Sequence, residues 1–349
     1  MLTDEQSLTE RLLTRGDGPR GPHGTLIGMP SPRSSVRRRV PVGAAVDIGA
    51  YSVHLVVAEV HGHRLVTLVD ESVALGLGSV VDARGDLGYE AGTRLVETLE
   101  AYAATSRARG ATAIAFVATD PLRRASDAAA IIAAVAVKTG VAIEVLGHDE
   151  EALLALLGVQ AGRPLHHETA LVDVGGGSSE VLISKPGADP VATGLPLGAA
   201  RMTREHVRAD PPGRDEVEAL LAEARQALLS APDAEPREIV AVGGTADNLL
   251  RVGPQLGRRI LTVRRIEDSI ERLLAAPAEA ISQQFGVKLS RARVLPAGAS
   301  ILLAVAERYR RDRIRVSTDG MREGLVLAAV HAGPRWRADL AWLAHGWSL

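Results

Sequence analysis

Cysteine is absent from the 349 residues, which excludes disulfides, thiol nucleophiles and thiolate-bound metals together. Any metal chemistry here is carboxylate or imidazole chemistry. Lysine is nearly absent too: Lys138, Lys185 and Lys288 are the only three, and the other 37 of the 40 basic residues are arginine. That bias, with the abundant alanine and glycine, fits a GC-rich genome and points to no mechanism. Aromatics make up 3% of the chain. The densest basic run, Arg308 to Arg315, has only Tyr309 beside it, so it offers no stacking platform for nucleic acid. A net charge of -2 gives no global pull toward nucleic acid or an anionic membrane. No run approaches the roughly 18 uninterrupted apolar residues of a spanning helix. Asp47 and Glu59 break the apolar stretch after Arg37-Arg38-Arg39, so an export signal is not expected and the expected compartment is the cytoplasm.

What is present is a 46% apolar, 23% charged composition, enough to bury a large core, and a length that suggests two domains. Residues 1–40, rich in Gly, Pro and Ser, read as a flexible basic tail. Runs of Val, Leu and Ile predict a three-strand meander over 42–48, 53–60 and 64–70. A helix over 90–107, a strand over 112–118, a helix over 126–138, a strand over 142–146 and a helix over 150–159 follow. The second half repeats the scheme. Strands are predicted over 169–174, 180–184 and near Val191, then a helix over 214–229, a strand over 239–242, helices from Thr245, over 266–274 and over 289–310, a strand over 314–317 and a helix over 321–330. Strands alternating with helices predict an α/β fold with parallel pairing.

An internal duplication carries the functional signal. Asp47-Ile48-Gly49-Ala50-Tyr51-Ser52 aligns with Asp173-Val174-Gly175-Gly176-Gly177-Ser178 in Asp, branched aliphatic, Gly and Ser. Each follows a strand and leads into another. Such a turn leaves backbone N–H groups free for phosphate oxygens, and an Asp at the strand end reaches a divalent cation. One such turn is an ordinary turn; a matched pair reads as a clamp on a phosphate chain. Gly243-Gly244-Thr245-Ala246 forms a third glycine turn, in which Thr245 either caps the following helix or joins the phosphate contacts.

With these motifs in order, the chain resembles the exopolyphosphatase/guanosine pentaphosphate phosphatase family, a branch of the actin, hexokinase and Hsp70 ATPase superfold. The further motifs are Ala118-Thr119-Asp120-Pro121-Leu122-Arg123-Arg124-Ala125, Asp149-Glu150-Glu151-Ala152 ahead of Leu157-Gly158-Val159, and Leu195-Pro196-Leu197-Gly198-Ala199. Later in the chain come Leu295-Pro296-Ala297-Gly298-Ala299 and Met321-Arg322-Glu323-Gly324-Leu325. The resemblance implies two ribonuclease-H-like domains, over 41–165 and 166–318, with a cleft between them and a C-terminal helix over 319–349 packing back on the first. It implies release of terminal phosphate from inorganic polyphosphate or guanosine pentaphosphate, with Mg²⁺ or Mn²⁺. Carried over, Glu150 matches the catalytic glutamate. Asp47 and Asp173 match the metal-side aspartates, with Asp173 and Glu180 also in the catalytic group, and Arg123 matches the arginine facing the phosphates. Gly49, Tyr51, Ser52, Gly175, Gly176, Gly177, Ser178, Gly244 and Thr245 would bind substrate.

On chemistry alone, Glu150 is either a base for the attacking water or an acid favoured in a helix's first turn by the dipole. The chain departs from the family where Ala50 and Tyr51 replace a hydroxyl and an amide in the first turn. Gly147-His148, Leu153, Asp127 and Arg293 are further departures. The competing expectation is therefore a nucleotide- or polyphosphate-binding regulator that kept the fold and lost turnover. Trp336, Trp342 and Trp347 are expected to anchor the terminal helix to the body or to a second copy of the chain in a homodimer.

Overall fold

In the computed structural model, residues 40–162, 165–253 and 257–346 are described. The tail read from 1–40, apart from Val40, and Trp347 lie outside the described residues. Short apolar runs build a meander of β1 (Val42–Ile48), β2 (Ser52–His61) and β3 (Arg64–Ala74), followed by β4 (Ala113–Ala118) and β5 (Ile143–Val145). The sheet order is β3-β2-β1-β4-β5, with β1 antiparallel to β2 and parallel to β4. β1 is central, so nearly its whole run Val-Gly-Ala-Ala-Val-Asp-Ile is apolar and buried.

The second half repeats this topology with β6 (Thr169–Val174), β7 (Ser179–Ser184), β8 (Val191–Leu195), β9 (Glu238–Val242), β10 (Ile260–Thr262) and β11 (Arg313–Val316). Their order is β10-β11-β9-β6-β7-β8, with β6 antiparallel to β7 and parallel to β9. The hairpin registers match across the halves: Asp47 stands opposite His54, and Asp173 opposite Glu180.

Two helices fill the space between the sheets, and each crosses to the other half. The helix His148–Gly162, which leaves the first half, buries Ala152, Ala155, Leu156 and Val159 against Leu171, Leu182, Val240 and Val242 of the second sheet. The helix Met321–Ala332, which leaves the second half, buries Leu325, Val326 and Ala329 against Ala45, Val56 and Val117 of the first. They meet through Gly158 and Gly324. A Cβ on either would collide with backbone, the Gly320 carbonyl in one case and the Leu154 carbonyl in the other.

The outer face of the second sheet is covered in part by the helix Leu289–Arg308, long and apolar enough to cross a membrane but with 72% of its apolar window buried inside the protein. The sequence reading missed the short helices Leu77–Arg84, Ala199–His206 and Ala278–Phe285. Leu77–Arg84 lies between Gly76 and Gly85, both left-handed, and its run Leu-Gly-Ser-Val-Val-Asp-Ala-Arg carries no clean apolar stripe. Of the tryptophans, Trp336 is buried with Leu340 and Leu343, whereas Trp342 is 70% exposed. The basic run is spent locally: Arg308 donates to the Leu228 carbonyl, Arg311 to the Pro236 carbonyl, and Arg315 pairs with Glu238.

Candidate active site

Each duplicated turn is closed by the same backbone bond, from Gly49 N–H to the Ser52 carbonyl at 3.1 Å and from Gly175 N–H to the Ser178 carbonyl at 3.0 Å. The two turns line a cleft of about 410 Å³ between the sheets. Asp47, Gly49, Tyr51, Ser52, Asp173, Gly175, Gly176, Gly177, Ser178, Glu180 and Gly244 are all on its walls. The sequence reading placed these eleven residues at one site, and the fold brings them together.

Three residues singled out from sequence are not on those walls. Glu150 turns away: its Oε2 accepts from Gly147 N–H at 2.8 Å, and both its oxygens are held by Arg337, at 2.6 and 2.9 Å. It is the third residue of the helix reaching back to the residue before it, a capping arrangement. Burial would raise its pKa, but Arg337 and the Gly147 N–H more than offset this and hold it below the ordinary carboxylate value. One residue further along, 100° around the helix, Glu151 lines the cleft instead. Arg123 lies behind Glu151, paired with it and donating to the Leu146 carbonyl at 2.8 Å, with Nη2 buried and unpartnered. Thr245 donates to the Val174 carbonyl at 2.8 Å, so its hydroxyl braces the second hairpin rather than capping a helix or facing an anion.

The carboxylates on the walls are poised against their own charge. Burial, with Asp173 nearby, pushes Asp47 up to about 6 despite Arg322. Burial likewise raises Asp173 to about 6, again against Arg322. Asp47 Oδ1 is buried with no hydrogen-bond partner. Oxygen donors of this kind, desolvated and unsatisfied, fit a hard divalent cation. Glu151 and Glu180 are both raised, Glu151 by burial and then Glu180, and Glu180 by burial and then Asp173. His148 Nδ1 lies 2.8 Å from Glu180 Oε1, and one ligand atom from each of His148, Glu151 and Glu180 falls within a 4.8 Å group that could also hold a metal.

Among the wall residues that the sequence reading did not place at the site are Glu151, His54, Arg322 and Arg291. His54 had a usable signal, since it stands two residues after Ser52 on one strand and so shares its face. Its pKa is lowered to about 3 by burial and then by Arg322. Arg322 can only donate, so His54 Nδ1 accepts from it at 2.7 Å, which leaves the proton on Nε2, donated to Ser52 Oγ at 2.8 Å. Glu151 had a signal in Gly147-x-x-Glu150, whose capping spacing consumes Glu150 and leaves its neighbour free. Arg322 stands within the late motif already quoted, but nothing local marks it as facing Asp47. Arg291, on a helix far along the chain, had no such signal.

Comparison with known proteins points one way. The Ppx/GppA phosphatase family matches residues 55–332. Exopolyphosphatase 1 of Mycobacterium tuberculosis is 29% identical over 304 residues, covering 81% of this chain and 86% of that protein. The crystal structure of the Ppx/GppA family member of Aquifex aeolicus aligns with a TM-score of 0.75 at 27% identity, covering 84% of this chain and 99% of that one. An exopolyphosphatase from Cytophaga hutchinsonii shares the fold with a TM-score of 0.75 at 22% identity, over 83% and 98% of the two chains.

Proposed function

The chain belongs to the Ppx/GppA phosphatase family, and on that premise we propose that it is an exopolyphosphatase, releasing the terminal phosphate of inorganic polyphosphate with a bound Mg²⁺ or Mn²⁺. The observation that carries this is the opposition of two matched glycine turns across one cleft, with Asp47 and Asp173 at their strand ends. Phosphoanhydride hydrolysis asks for charge neutralisation and a positioned water more than for covalent help from the protein. Asp47 and Asp173 would hold the cation, which when bound neutralises phosphate oxygens. Backbone N–H groups of the turns and the Ser52 hydroxyl take the remaining phosphate oxygens. Glu151 orients the attacking water and accepts its proton as the bond from the terminal phosphorus to the bridging oxygen breaks. Arg123 and Glu180 set where that proton sits, since one pairs with Glu151 and the other competes with it for charge.

The test is phosphate release from polyphosphate, guanosine pentaphosphate and ATP, with Mg²⁺ or Mn²⁺. Turnover of polyphosphate is expected. A preference for guanosine pentaphosphate would move the substrate to the nucleotide side of the family. The loss of two side-chain donors at Ala50 and Tyr51 favours one competing reading, a regulator that binds polyphosphate without cleaving it. Thermal stabilisation by polyphosphate with no turnover of any of the three would select that reading.

A further inference from the structure

The junction between β5 and the helix His148–Gly162, which delivers Glu151 to the cleft, is lightly built. β5 is three residues long and lies at the edge of its sheet, paired with β4 alone, and Gly147 beyond it is exposed. Two arginines hold the junction. Arg123 donates to the Leu146 carbonyl and pairs with Glu151. Arg337, which lies beyond the stretch 55–332 that matches the family, reaches the junction from outside the cleft. Its Nε and Nη2 hold the two oxygens of Glu150 at 2.6 and 2.9 Å, Nη1 holds Glu144 Oε2 at 2.7 Å, and Nη2 also donates to the Val145 carbonyl at 2.9 Å. Every nitrogen of the fork is in use, on the last two residues of the strand and the third of the helix.

Exposed ion pairs are usually worth about 0–1 kcal/mol, because two long side chains must be ordered to make them. Arg337 starts from a fixed backbone. Trp336 before it and Leu340 and Leu343 after it are buried in the core that also takes Leu154 and Leu157 of the same helix. The two glutamates, 100° apart around that helix, are unequally placed. Burial and then the Glu180 charge oppose ionisation of Glu151, whereas Arg337 and the Gly147 N–H favour the charged form of Glu150. We infer that Arg337 is a positioning residue for hydrolysis: it fixes the strand end and the first helical turn from behind, and so keeps Glu151 aimed at the attacking water against the cost of placing a carboxylate there. A shift of about 1 Å at a reacting group costs up to about 10²-fold in rate, even when the cause lies far from the chemistry. The inference rests on the polyphosphate-hydrolase reading above.

The experiment measures kcat and KM for tripolyphosphate with Mg²⁺, and calorimetric binding of tripolyphosphate, in Arg337→Met, Arg337→Lys, Glu151→Gln and the Arg337→Met/Glu151→Gln double variant. Arg337→Met is expected to lower kcat roughly 10- to 30-fold, with KM and the dissociation constant within about twofold of the parent. Arg337→Lys keeps the charge and loses the fork, so it should recover part of that loss. Glu150→Gln leaves the Glu144 and Val145 bonds in place and is the milder change. In the Glu151→Gln background, Arg337→Met should cost no more than about twofold in kcat, since the carboxylate it acts through is already gone. An unchanged kcat in Arg337→Met, or losses that multiply in the double variant, would overturn the inference while leaving polyphosphate hydrolysis intact. Should Arg337→Met not fold, Arg337→Gln and its double with Glu151→Gln are read by the same two outcomes. A wild-type protein that neither cleaves nor binds tripolyphosphate would overturn the function reading and this inference with it.

Discussion

Asp47 faces a neutral imidazole across the first hairpin, and Asp173 faces a carboxyl group across the second. The backbone of the two turns is the same down to the closing hydrogen bond, so the divergence lies in the side chain two residues beyond each serine. His54 donates to Ser52 Oγ, which leaves the Ser52 proton free for an acceptor in the cleft. Ser178 instead donates to Glu180 Oε1 at 3.0 Å, so its proton is spent and its lone pairs face outward. Phosphate oxygens only accept, and water can donate. On the proposed function, the Ser52 hydroxyl would be left to donate to phosphate on one side, and the Ser178 oxygen to accept from water on the other.

The sharpest way to break that division is on the water side. Glu151→Gln is expected to lower kcat for phosphate release by roughly 10²- to 10⁴-fold with little change in KM, the usual worth of a general base. Full activity in that variant would remove Glu151 from proton transfer. The two aspartates are where the hairpins should behave alike. A carboxyl with a folded pKa of about 6 against an ordinary value of 3.8 holds its proton more tightly when folded. The stability it lends is present below pH 3.8 and is lost as the pH rises through 6. Metal-free protein is therefore expected to lose on the order of 3 kcal/mol per group over that window in urea titrations. Asp47→Asn or Asp173→Asn should flatten the loss, and added Mg²⁺ should oppose it above pH 6; a metal-free protein that gains stability from pH 4 to 7 would contradict the assignment.

Smaller effects separate the serines. Ser52→Ala should raise KM roughly 3- to 10-fold, the worth of one hydrogen bond to a charged group, while Ser178→Ala should act mainly on kcat. Equal KM effects in steady-state assays would erase the distinction between the two sides. Smallest of all, Glu150→Gln is expected to keep phosphate release within about threefold of the parent and to cost about 1 kcal/mol or less in denaturant unfolding, as a weakened cap does.

Much of this was legible in the sequence, because short runs dense in Val, Leu and Ile set the strands and glycine between an Asp and a Ser set the turns. The motif order also pointed to the family that residues 55–332 match. Phase was not legible. Which of Glu150 and Glu151 faces inward depends on where the helix begins, and that is settled by Gly147 and by Arg337, 187 residues away from Glu150. Thr245 and Arg123 were read from motif position, yet a backbone carbonyl takes the hydroxyl of one, and a carbonyl and Glu151 share the guanidinium of the other. Arg291 shows the opposite limit: its place in the cleft is set by tertiary packing of a core helix, and no local pattern announces it.

The crossing of the two central helices has a consequence for how the molecule can be divided. Each half of the chain builds a sheet and then lends its closing helix to the other sheet, so a cut between the halves would strip both cores at once. Halves made separately should be insoluble or molten, and co-expressed halves should recover each other. With glycine backbones touching at the crossing, heating is expected to melt both halves in a single calorimetric transition.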